Sequence, residues 1–194
     1  FYSGIGETIK FQLMEESYPK DFNEILNKIQ STVTDNNFRN QIIHENMSIK
    51  KSYMEGDEFD LGRRNMLNYG HCLGHALETS SKYYVPHGIA VNIGMIFSNY
   101  LSINRNLANK DDVAFINSKI LMPYICLELR KGDFNEKLLL EAMKSDKKRV
   151  GKYLSVIIPD ENFSMIKVDD VTDSEFVSAL NNTVIFLFEK GVEK

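Results

Sequence analysis

Three of the four histidines in this 194-residue sequence lie close together, at positions 71, 75 and 87. His71 and His75 are four residues apart, so on a helix both imidazoles face the same side and could share a divalent metal ion or a substrate. Such a pair also arises by chance on many helices, as an ordinary surface or core pair. Gly70 and Gly74 each precede one of these histidines, and glycine weakens a helix by about 1 kcal/mol unless a close backbone contact requires it. The glycines therefore favour a crowded functional site.

A carboxylate that could complete a metal site lies near the N-terminus, in the segment GIGETIK. There Glu7 and Lys10 are three residues apart on one helical face, directly after two glycines. A surface ion pair, worth less than about 1 kcal/mol, would explain that spacing equally well. One carboxylate with two imidazoles is, however, the ligand set of a catalytic zinc ion that keeps an open coordination position. The residues alone leave open which two histidines would take part.

Side chains suited to an anionic substrate occur in three further segments. Arg64 and Asn68 precede His71 by seven and three residues, on one side of the same predicted segment. A guanidinium binds phosphate or carboxylate, and an amide binds a hydroxyl. Lys50 ends an apolar helix, where a solvated charge is the ordinary explanation. The third segment, SDKKRVGK, fits a solvated loop and a loop that closes over phosphate equally well. Its cations are Lys147, Lys148, Arg149 and Lys152, and Lys144 directly precedes it.

Helices and one hairpin are predicted to position these residues. Apolar side chains recur at helical spacing in seven segments, at 21–32, 36–55, 67–80, 88–107, 111–124, 134–144 and 173–190. Asp21 and Asp133 are the candidate N-caps of the first and sixth segments. YLSVIIP and FSMIKVD flank a turn signal at 159–162 and predict a hairpin near 153–168. The expected fold class is mainly α with one small β-hairpin, without a glycine-rich dinucleotide-binding turn.

Composition limits the class of protein. Apolar residues make up 43% and charged residues 26%, which excludes disordered, collagen-like and coiled-coil chains. The net charge of -4 argues against a general nucleic-acid surface or a polybasic membrane anchor. Cys72 and Cys126 cannot form a disulfide framework, which favours a reducing compartment, the cytoplasm. The sequence begins with Phe1, so we expect a fragment that lacks an N-terminal part.

In order and spacing, these segments resemble the C-terminal domain of 3-dehydroquinate synthase and its sugar-phosphate cyclase relatives. The matching segments are SGIGETIK, IK at 49–50, DEFDLGRRNMLNYGHCLGHALE, HGIAVNIGM and SDKKRVG. The central block with its downstream HG is the most specific part. The resemblance implies that residues 1–194 form a single helical metal- and substrate-binding domain. It also implies that NAD is bound mainly by an N-terminal domain that this chain does not contain.

The resemblance implies a role for nine residues. Zinc, or another divalent metal such as cobalt, would be bound by Glu7, His71 and His87. Catalysis would use Lys10, Lys50 and His75. The substrate would contact those three residues and also Arg64, Asn68 and Lys148. Asp60, Cys72 and Ile89 replace the Glu, Thr and Glu usual in the family, which leaves the reaction class intact and affects only the choice of substrate.

The function implied is that of a lyase which converts 3-deoxy-arabino-heptulosonate 7-phosphate into 3-dehydroquinate and phosphate, in the shikimate pathway to aromatic amino acids. A sister cyclase that makes inosose or valiolone is the first alternative. The second is a metal-dependent alcohol dehydrogenase relative, which would leave the DKK segment unexplained. The third is a helical metal-binding module without turnover, as the isolated chain would behave. Expected partners are the phosphorylated sugar acid, the NAD domain of the same polypeptide and a second copy in a homodimer, with neither nucleic acid nor membrane.

Overall fold

The computed structural model describes residues 2–16, 18–59, 62–145 and 153–189. The helices are α1 (Tyr2–Met14), α2 (Phe22–Thr34), α3 (Asn36–Met54), α4 (His71–Ser80), α5 (His87–Asn104), α6 (Lys110–Phe115), α7 (Glu136–Ser145) and α8 (Asp173–Glu189). The strands β1 (Leu154–Pro159) and β2 (Met165–Val171) pair antiparallel, with Ile157 opposite Lys167. The predicted fold class, mainly helical with one small hairpin, is confirmed.

Helix α5 forms the centre of the molecule. Every residue from Gly88 to Asn99 is buried, because α1, α4, α8 and β1 pack around it. A helix that is apolar on all sides belongs either to the core of a protein or to a membrane. Among the described residues, no helix has the length and apolar content needed to cross a membrane.

Glycines allow the backbones of α1 and α4 to touch α5. A Cβ atom added to Gly94 would lie 1.9 Å from the carbonyl oxygen of Gly70, and one added to Gly88 would lie 1.8 Å from that of Ser3. Gly74 packs against the backbone of Ala90, where an added Cβ would be 3.3 Å from the carbonyl oxygen. The close contact expected at Gly70 and Gly74 is therefore present, and it is a contact with α5.

The segment predicted as one helix over 67–80 is divided in two. A 3₁₀ helix spans Arg63–Asn68, and α4 begins only at His71. Gly70 separates them because it adopts φ 76°, the left-handed region that glycine enters without a steric cost. Arg64 and Asn68 consequently belong to the 3₁₀ helix and not to the helix of His71, so the prediction of one continuous helix is wrong.

N-terminal caps are predicted for two helices, α2 and α7, and the structure confirms one of them. The side chain of Asp21 accepts hydrogen bonds from two backbone N–H groups of α2, as predicted. Asp133 does not cap α7, because its carboxylate binds the guanidinium of Arg130 at 2.8 and 2.9 Å. Asn135 takes that place, and its side-chain oxygen accepts from the N–H of Leu138. The cap therefore lies two residues later than predicted.

The hairpin is attached at both of its ends. Arg105, which follows α5, binds Asp170 at 2.6 Å and Glu175 at 2.8 Å. At the turn, the ring of Phe163 is buried and packs edge-on against Phe22, with 5.4 Å between the ring centroids. These contacts hold the hairpin beside the 3₁₀ helix that precedes α4.

We predict that Gly94→Ala destabilises the protein and that Gly4→Ala does not. The added methyl group of Gly94→Ala would force α5 away from α4, at a cost of about 1–3 kcal/mol. Gly4 is also helical, but nothing lies within 4 Å of an added Cβ, so alanine there should stabilise by about 0.5–1 kcal/mol. Urea unfolding followed by circular dichroism measures both changes, and equal midpoints for the two variants would contradict the proposed packing.

Candidate metal and substrate site

Three helices each contribute one ligand to a compact cluster. Glu7 comes from α1, and His71 and His87 are the first residues of α4 and α5. The Oε1 atom of Glu7 lies 3.2 Å from Nε2 of His71 and 3.3 Å from Nε2 of His87. The sequence places each of these residues next to a glycine, namely Gly6, Gly70 and Gly88. The glycine contacts that bring the backbones together therefore also bring the three side chains together.

The other nitrogen of each imidazole has a partner that sets its tautomer. Nδ1 of His71 lies 3.1 Å from the carbonyl oxygen of Tyr69, and Nδ1 of His87 lies 3.1 Å from Oε2 of Glu78. Because both partners only accept hydrogen bonds, each neutral ring carries its proton on Nδ1. The Nε2 lone pairs then face Glu7, in the arrangement that metal-binding histidines usually show.

The Oε1 atom of Glu7 is buried and makes no hydrogen bond to the described residues. It faces two ring nitrogens that also present lone pairs, so three electron-pair donors converge without a proton between them. Buried acceptors without partners are unfavourable. A divalent cation resolves the conflict, and ligands about 2.0–2.1 Å from a tetrahedral zinc ion lie about 3.3 Å apart. The residues present therefore fit a metal ion such as zinc.

Lys10 holds the second carboxylate oxygen. Its Nζ lies 2.8 Å from Oε2 of Glu7 and 3.2 Å from the carbonyl oxygen of Leu67. Burial raises the pKa of Glu7, but the charge of Lys10 and the hydrogen bond from its ammonium lower it further, so the net pKa lies below the usual range and the carboxylate stays ionised. Burial lowers the pKa of Lys10, Glu7 opposes this effect, and the nearby charge of Lys50 adds to it. Two cations of the predicted set thus lie close to the metal ligands.

A second group of possible ligands overlaps the first. Atoms of His75, Glu78 and His87 lie within 4.8 Å of one another. The ring of His75 stacks on that of His87, with 5.7 Å between centroids. In this second group Glu78 would bind the metal instead of orienting His87 towards Glu7, so the two groups are alternatives. The first group is the more buried, and it contains the oxygen without a hydrogen bond.

A cavity of about 220 Å³ lies beside the histidines. Of the predicted site residues, Asn68, His71 and His75 line it. Two polar residues that the sequence interpretation missed, Ser155 and Lys167, line it from the hairpin. No local signal in the sequence marks them, because they reach the cavity only through the packing of the hairpin.

Most of the other residues singled out in the sequence do not line the cavity. The guanidinium of Arg64 donates to the carbonyl oxygen of Glu58 at 3.0 Å, and Arg64 does not line the cavity. Lys50 is on the exposed face of α3. Ile89 is buried in the core, while Cys72 lines the cavity. The predictions for Asp60, Lys147 and Lys148 fall outside the described residues.

Comparison with known proteins assigns the chain to a family. Residues 4–149 match the family described as 3-dehydroquinate synthase C-terminal. The chain belongs to this family. The resemblance of the sequence to the 3-dehydroquinate synthase family is therefore confirmed.

Curated relatives support the assignment. The 3-dehydroquinate synthases of Streptococcus pyogenes serotype M6 and of Prochlorococcus marinus are 29% identical over 183 residues and 30% identical over 191 residues. Each alignment covers 94% of this chain and 50% of the relative. The chain therefore spans about half the length of the curated relatives it matches.

Solved structures share the fold. One is 2-epi-5-epi-valiolone synthase from Streptomyces hygroscopicus subsp. jinggangensis with NAD+ and Zn2+ bound, at a TM-score of 0.76 and 17% identity, covering 94% of this chain and 51% of that chain. Another is 2-deoxy-scyllo-inosose synthase complexed with carbaglucose-6-phosphate, NAD+ and Co2+, at a TM-score of 0.68 and 19% identity, covering 93% and 52%. Both likenesses concern the fold alone.

We predict that zinc binding is lost in Glu7→Ala and His87→Ala but kept in His75→Ala. Glu7 belongs only to the first ligand group and His75 only to the second, so this comparison separates them. Metal analysis after dialysis against zinc at neutral pH measures the stoichiometry, since low pH would strip the metal by protonating its ligands. His44→Ala, a change to the exposed histidine on α3, is the matched control. Retention of zinc in Glu7→Ala with loss in His75→Ala would move the ion to the second group.

Proposed function

We propose that this chain is the metal- and substrate-binding part of an enzyme that converts 3-deoxy-arabino-heptulosonate 7-phosphate into 3-dehydroquinate and inorganic phosphate. The observation that carries the proposal is the convergence of Glu7, His71 and His87 beside a cavity lined by Asn68 and His75. Curated relatives with that name, similar over 94% of this chain, support the substrate. The pathway role proposed is the synthesis of aromatic amino acids.

The cofactors proposed are a divalent metal and NAD, as in the two solved neighbours. Glu7, His71 and His87 would hold the metal. The described residues contain one antiparallel hairpin and no parallel β-α-β unit that could bind a dinucleotide, so we assign NAD to a part of the enzyme outside this chain. When bound, the metal supplies stabilisation of negative charge on substrate oxygens, and NAD supplies a transient acceptor for hydride.

The residues of this chain bind and orient the substrate. Lys10 holds one oxygen of Glu7, which leaves the other oxygen facing the imidazoles. The amide of Asn68, turned by its hydrogen bond to the carbonyl oxygen of Asn65, presents a polar group to the cavity for a substrate hydroxyl. His75 is exposed to the same cavity, where an imidazole can pass a proton to or from the reacting groups.

A sister cyclase is the second candidate, because the two solved neighbours carry those names. Their identities of 17% and 19% are below those of the curated 3-dehydroquinate synthases, at 29% and 30%. The test measures phosphate release by the complete enzyme from the heptulosonate phosphate and from sugar phosphates that lack a carboxylate. Release from the heptulosonate alone supports the proposal. Release only from the substrates without a carboxylate would establish the sister activity instead.

We predict that Lys50→Ala and Arg64→Ala variants of the complete enzyme are folded but lose activity by about 10²–10³-fold. A cation aimed at a substrate oxyanion acts mainly in the transition state, and neither side chain belongs to the buried core. For Arg64 the prediction requires the guanidinium to leave the carbonyl oxygen of Glu58. Lys51→Ala, a change to an exposed lysine paired with Glu55, is the matched control. Near-normal phosphate release by either variant would remove that residue from the proposed site.

We predict that the 194-residue chain alone does not catalyse the cyclisation when NAD and zinc are supplied. Hydride transfer requires the nicotinamide to be held close to the reacting carbon, and such placement is worth up to about 7–11 kcal/mol of the barrier. The measurement is turnover of the purified chain beside that of the complete enzyme. Comparable rates would show that the chain binds NAD by itself and that the division of roles proposed here is wrong.

A further inference from the structure

The cavity beside the histidines has a wall formed by the hairpin. Ser155 and Ile157 of β1 and Lys167 of β2 all line it. Residues two apart on a strand share a face, and directly opposed residues of an antiparallel pair do so as well. Ile157 pairs with Lys167 in the observed register, so one face of the hairpin is turned towards the cavity. On the other side of the cavity are Asn68 and His75.

The position of this wall is fixed by tertiary contacts. Arg105 and Phe163 attach the two ends of the hairpin to the helices around it. Nearer the cavity, the thiol of Cys72 on α4 lies 3.5 Å from the carbonyl oxygen of Ser155. Lys167 therefore lines the cavity from a strand whose position is fixed.

The present partner of Lys167 is weakly held. Its Nζ lies 3.2 Å from Oδ1 of Asp169, and the two side chains are 32% and 44% exposed. Exposed ion pairs contribute little and are screened by salt. The hydroxyl of Ser155 also donates to the Asp169 carboxylate, so an incoming anion that replaces Asp169 must accept from both side chains. A neutral ligand could not replace Asp169, because it carries no negative charge to pair with the ammonium.

We propose that Lys167 is a further substrate-binding residue, whose ammonium binds the phosphoryl group of the substrate between the hairpin and the Asn68–His75 side of the cavity. The inference rests on the proposed function for the identity of the substrate. Lysine acts as a point charge that suits a phosphoryl group, whereas a planar carboxylate is better matched by the fork of an arginine. The amide of Asn68 also lines the cavity, and the hydroxyl of Ser155, which donates to Asp169, can donate to the phosphoryl group once that carboxylate is displaced. Asp169 then acts as an internal competitor that favours dianionic ligands.

The test compares three variants of the chain by calorimetric titration with inorganic phosphate at low salt. Lys167→Gln should weaken phosphate binding by about tenfold. Asp169→Asn should strengthen it, because the competing carboxylate is removed. Lys119→Gln, a change to an exposed lysine outside the cavity, is the control and should match the unchanged chain. Acetate serves as a carboxylate probe, and its affinity should fall less than that of phosphate when Lys167 is replaced.

Opposite effects of Lys167→Gln and Asp169→Asn distinguish direct binding from a structural role, since damage to the hairpin would weaken binding in both variants. Equal phosphate affinity of Lys167→Gln and the unchanged chain would overturn the inference, as would the absence of measurable phosphate binding to the unchanged chain. In the complete enzyme, Lys167→Gln should raise KM about tenfold with little change in kcat. If the unchanged complete enzyme releases no phosphate from the heptulosonate, the proposed function fails, while the phosphate titrations still decide the role of Lys167.

Discussion

The backbone contact of α5 with α1 and α4 is the constraint on which the rest of the structure depends. Side chains would keep these helices apart, but Gly88 meets the carbonyl oxygen of Ser3, and Gly94 meets that of Gly70. A glycine in the middle of a helix costs up to about 1 kcal/mol in propensity. Here that cost is offset by the close packing of a fully buried helix, and the same contacts determine where the functional side chains lie.

The positions of the candidate metal ligands follow from this packing, because each is next to a contact glycine. Glu7, His71 and His87 begin or lie within three different helices, yet their ligand atoms converge within 4.8 Å. Such a cluster has an electrostatic cost without a cation, since a buried carboxylate oxygen faces ring nitrogens that carry lone pairs. Lys10 reduces part of that cost by binding the other carboxylate oxygen at 2.8 Å. The helix packing therefore already brings these three side chains together, as the proposed metal site requires.

The hairpin extends this rigid arrangement to the substrate side. It belongs to the last part of the chain, yet it packs beside the 3₁₀ helix and α4, which hold Asn68 and His75. The cavity has the candidate metal ligand His71 among its lining residues and the polar side chains of Ser155 and Lys167 on the hairpin, so it suits a substrate that has both hydroxyl and anionic groups. That polarity matches the proposed reaction, in which oxidation at one part of a sugar acid leads to loss of phosphate at another.

Much of this protein is determined by the sequence alone. Helical periodicity depends on which face of a segment is buried, so it predicted most of the helices without knowledge of their neighbours. Two β-branched runs around a turn signal predicted the hairpin in the same local way. Asp21 caps α2 through contacts within three residues, and local contacts of that kind can be read from sequence. Clustered histidines and glycines indicated a crowded site, and the resemblance of five segments identified the family.

Tertiary structure decided what depends on contacts between distant segments. Periodicity could not separate His75 from His87 as a ligand, because His87 reaches Glu7 only through the docking of α5 on α1. The left-handed conformation of Gly70 turns Asn68 out of line with α4, and glycine is required there because an added Cβ would collide with Val91 and Met95 of α5. Lys167 carries no local signal, since its place in the cavity comes from a hairpin attached to helices far away in the chain. Local sequence patterns indicate which side chains are buried, whereas contacts between distant side chains are determined by how the elements pack.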